Sequence, residues 1–114
     1  MSLFDQVNTK ENSNEDALKE KHVPIISVSK IGDNKCRVKV DAGGGGKHPN
    51  EMDHFIQWVE IQIDDLYVGR TEFSAGIMDP FTEFVINCKT PCSISVLSRC
   101  NKHGLWLNKV TYKG

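Results

Sequence analysis

No stretch of this chain approaches the ~20 consecutive apolar residues needed to cross a bilayer, and residues 1–6 lack the basic segment and apolar run of a secretory leader. Membrane insertion is excluded on this reading, and the cytoplasm is the expected compartment. An excess of one charge is missing too. With 14 Lys and Arg against 15 Asp and Glu, the net charge is -1, so there is no electrostatic footprint for nucleic acid or a membrane surface. Cysteine is sparse: four residues, at 36, 88, 92 and 100, do not make the dense framework of a small secreted domain. Free thiols or metal ligation are expected instead. Finally, no segment sustains a 3.6-residue apolar period, which argues against a helical bundle.

What is present reads as all-β. Residues 1–19 form a polar arm, rich in Asn, Asp and Glu, with a helical tendency near Glu15 to Lys19 and little expected contribution to a core. From Val23 onward, short runs rich in β-branched residues alternate with turn residues, the pattern of strands. Strands are predicted over 25–30, 36–40, 54–63, 66–74, 83–88, 93–99 and 105–112, giving one domain over residues 20–114. About seven short strands in this length imply an antiparallel β-sandwich of immunoglobulin-like layout. Cys36, Val38 and Val40 alternate with Arg37 and Lys39, which puts the first three inside. The 54–63 run carries apolar residues on both faces and reads as a covered central strand. Gly43 to Gly46 lose too much backbone entropy on ordering to belong to a regular element, so a mobile loop is expected there.

Four histidines exist, and all fall at loops or strand ends: His22 before the first strand, His48 and His54 around a Pro-containing turn, and His103 in the turn entering the last strand. Cys100 stands three residues before His103. Loop positions on a rigid sandwich allow sequence-distant side chains to converge, although any single histidine there is more often a surface residue. Five ligands of this kind are one too many for the closed tetrahedron of structural zinc. Imidazole nitrogens with one thiolate suit iron, copper, zinc or nickel, so ligand type leaves the metal open. A six-coordinate metal would keep one position for a small molecule.

Three separated motifs occur in order: Glu20-Lys21-His22-Val23-Pro24; His48-Pro49 with His54 and then Trp58; and Cys100-Asn101-Lys102-His103-Gly104-Leu105-Trp106. Together they resemble the superoxide reductases, also called neelaredoxins and desulfoferrodoxins. The resemblance runs from Glu20 to near the C-terminus. It implies one mononuclear non-haem iron per chain, with His22, His48, His54 and His103 in its equatorial plane and Cys100 on its axis. Lys21 would attract superoxide and help organise its protonation, and Glu20 would be the carboxylate that can take the sixth position. The extra cysteine-built iron site of larger members has no counterpart in residues 1–19, so the one-iron type is implied. Asn50 and Phe55 stand where the family commonly has Met and Tyr, and Cys88 and Cys92 are not family ligands.

The implied reaction is one-electron reduction of superoxide to hydrogen peroxide, with rubredoxin or a similar small protein restoring the iron, in a homo-oligomer that is a tetramer or dimer. The axial thiolate would push charge towards the substrate side, as the axial cysteine does in haem enzymes. Lys47 and Lys102 adjoin ligands and would make the mouth more positive than the net charge suggests. Two rivals remain at this stage. One is a dismutase, which would release dioxygen as well; the other is a non-catalytic metal-binding or electron-transfer sandwich built on the same ligands.

Overall fold

A computed structural model describes residues 7–9, 11 and 16–114 of the chain. Among the described residues, two β-sheets face each other and there is one short helix. In chain order the elements are β1 (Val7–Asn8), α1 (Asp16–His22), β2 (Ile25–Gly32), β3 (Lys35–Asp41), β4 (Ile56–Ile63), β5 (Leu66–Glu72), β6 (Phe81–Asn87), β7 (Cys92–Cys100) and β8 (Gly104–Tyr112). One sheet has the order β1-β8-β7-β4-β5, the other β2-β3-β6. The seven strands expected from the sequence are β2 to β8, and β5 stays with the larger sheet as the hairpin partner of β4.

Local chemistry sets this hairpin. Asp64 and Asp65, the two residues between β4 and β5, have φ of 50° and 66°, the left-handed pair that a two-residue type I′ turn requires. Asp and Asn tolerate that region better than other side chains do, and Asn34 does the same at φ 54° between β2 and β3. On β3 the alternation holds: Cys36, Val38 and Val40 are buried, while Arg37 and Lys39 reach Glu83 on the neighbouring strand β6. These residues meet Val59, Ile61, Ile94 and Val96 of the larger sheet in one core.

Three expectations change. The 54–63 segment is not a strand covered on both faces. Between the pairs Ile56↔Cys100 and Trp58↔Arg99 the register slips by one residue at Gln57, a bulge that turns Ile56 to the same side as Val59. Both are buried; Trp58, on the other side, is half-buried and carries the Arg70 guanidinium 4.1 Å from its ring centroid.

The first half of the glycine run is packed rather than free, while Gly45 and Gly46 are exposed. Gly43 and Gly44 are buried, Gly43 N–H donates to Asp41 Oδ1 at 2.9 Å, and a Cβ on Gly44 would strike the backbone of Glu20 and Lys21. Only glycine lets the loop lie this close to the end of α1. The arm also takes part in the sheet. Val7 and Asn8 run parallel to Leu105 and Trp106 of β8, and α1 begins at Asp16.

Strand β7 organises the rest. It crosses the sandwich from Cys92 to Cys100, roughly 27 Å at the ~3.4 Å rise of an antiparallel strand. Cysteine therefore marks both ends of the molecule's central strand.

Candidate metal centre

At the Cys100 end, four segments bring their histidines together. His22 is the last residue of α1, His48 follows the glycine turn, His54 sits in a tight turn closed by Glu51 N–H to His54 O at 2.9 Å and His54 N–H to Glu51 O at 3.1 Å, and His103 lies in the β7–β8 turn. Their ring centroids form a closed circuit: His22 to His48 4.6 Å, His48 to His54 4.8 Å, His54 to His103 5.3 Å, and His103 back to His22 4.9 Å. Cys100 Sγ is 3.3 Å from His48 Nε2 and 3.8 Å from His103 Nδ1. Those two histidines are opposite corners of the circuit, so the sulfur touches it across its middle. One ligand atom each from His22, His48, His54 and Cys100 all lie within 4.8 Å of one another.

The polar atoms here suit a metal and fit each other poorly without one. His22 Nδ1 is 2.9 Å from Leu18 O, and His48 Nδ1 is 2.6 Å from Pro49 O. A carbonyl oxygen only accepts, so each Nδ1 carries the ring hydrogen and each Nε2 presents a bare lone pair. Yet the two Nε2 atoms face each other at 3.1 Å. Two lone pairs at that distance repel unless a cation stands by them. His54 Nε2 is buried with no hydrogen-bond partner at all, a costly omission for an isolated imidazole. Backbone carbonyls fixing the far nitrogens are the usual support of metal-ligating histidines, and three imidazoles with a thiol make a set for a divalent transition metal.

Electrostatics agrees. Burial lowers the pKa of His22 to about 4, helped by the neighbouring His48, His103 and His54 and opposed by its bond to Leu18. His48 and His54 are lowered too, first by burial and then by adjacent imidazoles, with the Lys21 cation adding to both. Neutral rings are what coordination needs.

Side chains behind the ring hold it in place. Trp106 stacks on His22, centroids 4.8 Å apart and planes 18° off parallel, and its Nε1–H donates to His103 O at 3.1 Å. Gly104 adopts φ 79°, which lets the turn from Cys100 to Gly104 close so tightly that these two residues pair across it. At the mouth, Lys47 Nζ contacts Glu20 Oε2 at 3.3 Å and Lys102 contacts Asp53 at 3.9 Å. Those pairings compensate the two flanking lysines only in part: Lys21 acts on both His48 and His54, and on His54 Lys102 acts more strongly than Lys21.

The desulfoferrodoxin family model matches residues 14–109. This chain belongs to that family. A superoxide reductase of Thermococcus kodakarensis is 38% identical over 102 residues, covering 81% of this chain and 87% of that protein. Among solved structures, the neelaredoxin-type superoxide reductase of Ignicoccus hospitalis superposes with a TM-score of 0.85 at 27% identity, over 99% of this chain and 98% of that one. That of Archaeoglobus fulgidus in its reduced form gives 0.78 at 31% identity, over 96% and 99%.

Within this desulfoferrodoxin site, several supporting residues escaped the sequence reading. Asn101 clamps the His54 segment: its Oδ1 accepts from Phe55 N–H at 3.0 Å and its Nδ2 donates to Asp53 O at 2.9 Å. Asn8, from the supposed arm, donates through Nδ2 to Leu105 O at 2.9 Å and to His103 O at 3.4 Å. Asn50 ties the His48 segment to the following loop, donating to Met78 O and accepting from Gly76 N–H, both at 2.9 Å. Asn101 was visible as a member of the Cys100-to-Trp106 motif. Nothing in composition marked Asn8, whose partner is close to one hundred residues away.

Proposed function

We propose that the chain is a superoxide reductase for one iron ion, which His22, His48, His54, His103 and Cys100 would hold. One observation carries this reading: the closed circuit of four imidazoles with the cysteine sulfur against two opposite corners. When bound, iron supplies a one-electron couple through which superoxide, one electron and two protons become hydrogen peroxide.

The chain's own residues do the rest. Lys21 draws the anion to the mouth, an effect of a local cation that the near-zero net charge hides. Leu18 and Pro49 carbonyls hold the His22 and His48 tautomers so that both Nε2 lone pairs point inward. Cys100, fully buried at the end of β7, is shielded from water and directs its sulfur across the ring. Glu20 is assigned the carboxylate that caps the open side. In the present arrangement it is salt-bridged to Lys47, so capping requires that surface pair to separate, a cost of only ~0–1 kcal/mol.

A separate small protein, rubredoxin or similar, is the proposed donor. Exposed Met52, Ile77 and Met78, beside the His48–His54 segment, support a docking face next to the metal. A homo-oligomer, tetramer or dimer, is supported by the sheet edges, where Leu66, Tyr67 and Val68 on β5 and Phe81 and Val85 on β6 are exposed; such edges are seldom left bare. The described residues contain no helix long and apolar enough to cross a membrane. Four free cysteines support the cytoplasm as the compartment.

The test is to reduce the iron-loaded protein and pulse it with superoxide. The expected result is a thiolate-to-iron charge-transfer band appearing as hydrogen peroxide forms. Protein that prefers zinc, shows no band and leaves superoxide untouched would overturn the reading in favour of a non-catalytic site.

A further inference from the structure

The opposite end of the sandwich gathers the other three cysteines, which the metal centre does not use. Cys36 is the second residue of β3, Cys88 follows β6, and Cys92 opens β7. All three are buried in the same core cluster. Cys92 Sγ lies 3.1 Å from Cys88 Sγ with its thiol donating, about 1 Å beyond a covalent sulfur–sulfur bond. Cys36 lies near enough to Cys88 for the two to act on each other electrostatically, and Tyr112 packs against the cluster that holds all three thiols. Exposure is graded: Cys36 0%, Cys92 3%, Cys88 8%. The thiol nearest the solvent is thus the one that both others address.

We propose that Cys88 and Cys92 are an oxidisable dithiol, in which hydrogen peroxide reacts at Cys88 and Cys92 closes the disulfide. The naming of peroxide rests on the superoxide reductase reading, since that reaction releases it. The Cys88 sulfur displaces hydroxide from peroxide and becomes a sulfenic acid; the Cys92 sulfur then forms the S–S bond as the hydroxyl leaves with the Cys92 proton as water. In sum, two thiols and one peroxide give one disulfide and two waters, with two electrons passing from sulfur to oxygen.

The surroundings assign the roles. Burial raises Cys92 to about 12 and Cys36 to about 11, with Cys88 as the next cause for both. Both therefore keep their hydrogens near neutrality, which suits Cys92 as the partner that must deliver a proton to the leaving hydroxyl. Scarce thiolate at Cys92 makes the closing step slow, so the pair responds to sustained exposure. Closure ties β6 of the smaller sheet to β7 of the larger one, at the far end of the strand whose other terminus is Cys100.

Tryptic mapping tests this directly. Cleavage after Lys89 separates Cys88, in fragment 71–89, from Cys92, in fragment 90–99, while Cys36 leaves in fragment 36–37. Iron-loaded protein treated with excess hydrogen peroxide and then alkylated under denaturing conditions is expected to yield 71–89 joined to 90–99. Cys36→Ser is expected to retain the joined fragment. Cys92→Ser is expected to lose it and to carry added oxygen on Cys88 itself, located by fragment-ion sequencing of 71–89 that separates it from oxygen on Met78. Thiols that stay free in the wild-type protein, or a crosslink to 36–37 instead, would overturn the proposal. The same map after turnover with superoxide separates the two readings. Closure by added peroxide but not by turnover would keep the dithiol and remove superoxide reduction as the peroxide's source.

Discussion

Cys92 and Cys100 terminate the same strand, are both buried, and live in opposite chemistry. Around Cys100 the neighbours are imidazoles whose inward nitrogens carry lone pairs: His22 and His48 face each other at 3.1 Å, and His54 Nε2 has no partner. Around Cys92 the neighbours are two more thiols and a phenol, and Cys92 donates its own hydrogen to the Cys88 sulfur. One end is short of cations, the other is well supplied with protons. On the proposed reading the same residue type is a metal ligand at one pole and an oxidisable thiol at the other, because strand ends expose it to different loops.

Removing the sulfur at each pole is the strongest way to break the comparison. Cys100→Ser is expected to abolish the thiolate-to-iron band in visible absorption, while Cys92→Ser leaves it in place. Next in size is Trp106→Ala, which removes the stacking wall of His22 and opens a cavity; unfolding in urea should show a loss of ~3–5 kcal/mol. Asn101→Ala frees the His54 segment while leaving every ligand present. Metal affinity is expected to fall ~10–100-fold, the usual cost of losing such support, in competition with a chelator, and Cys88–Cys92 closure should be unaffected.

Acid and alkali should separate the poles in the metal-free protein. His22 titrates near 4 when folded against 6.5 ordinarily, so the unfolded chain binds more protons in that window and stability falls as pH drops from 6.5 towards 4. Cys36 and Cys92 titrate near 11 and 12 against 9.0. There the unfolded chain loses protons first, and stability falls as pH rises above 9.0. Melting temperature across pH should therefore drop on both sides, with Cys36→Ser flattening only the alkaline limb. The smallest expected effect is that of Lys21→Ala, a few-fold slower reaction with superoxide at low salt, a difference that shrinks as ionic strength screens the cation.

How much of this could be read beforehand varied with the range of the interactions. The β2 to β8 strands were legible because alternation on β3 and the Asp64-Asp65 turn are local signals. The five residues of the candidate centre stood out through three short motifs in order. Less visible were contacts that depend on how segments meet. The bulge at Gln57 needs the β7 partner to define it, and Asn8 acts on His103 and Leu105 only because β1 runs beside β8. Gly43 and Gly44 looked like freedom in the sequence. They serve close packing, Gly43 against Pro80 and Gly44 against Glu20 and Lys21. The thiol cluster was hidden for the same reason, since Cys36 comes beside Cys88 only through the β3–β6 pairing and Cys92 joins Cys36 only when the two sheets are stacked.

The most direct measurement is the yield of hydrogen peroxide from a known dose of superoxide, taken with reduced iron-loaded protein and with dioxygen monitored together. Reduction gives one peroxide for each superoxide consumed and no dioxygen, with one electron drawn from the protein each time. Half that peroxide with matching dioxygen, and iron left as reduced as it began, would show dismutation and contradict the assignment.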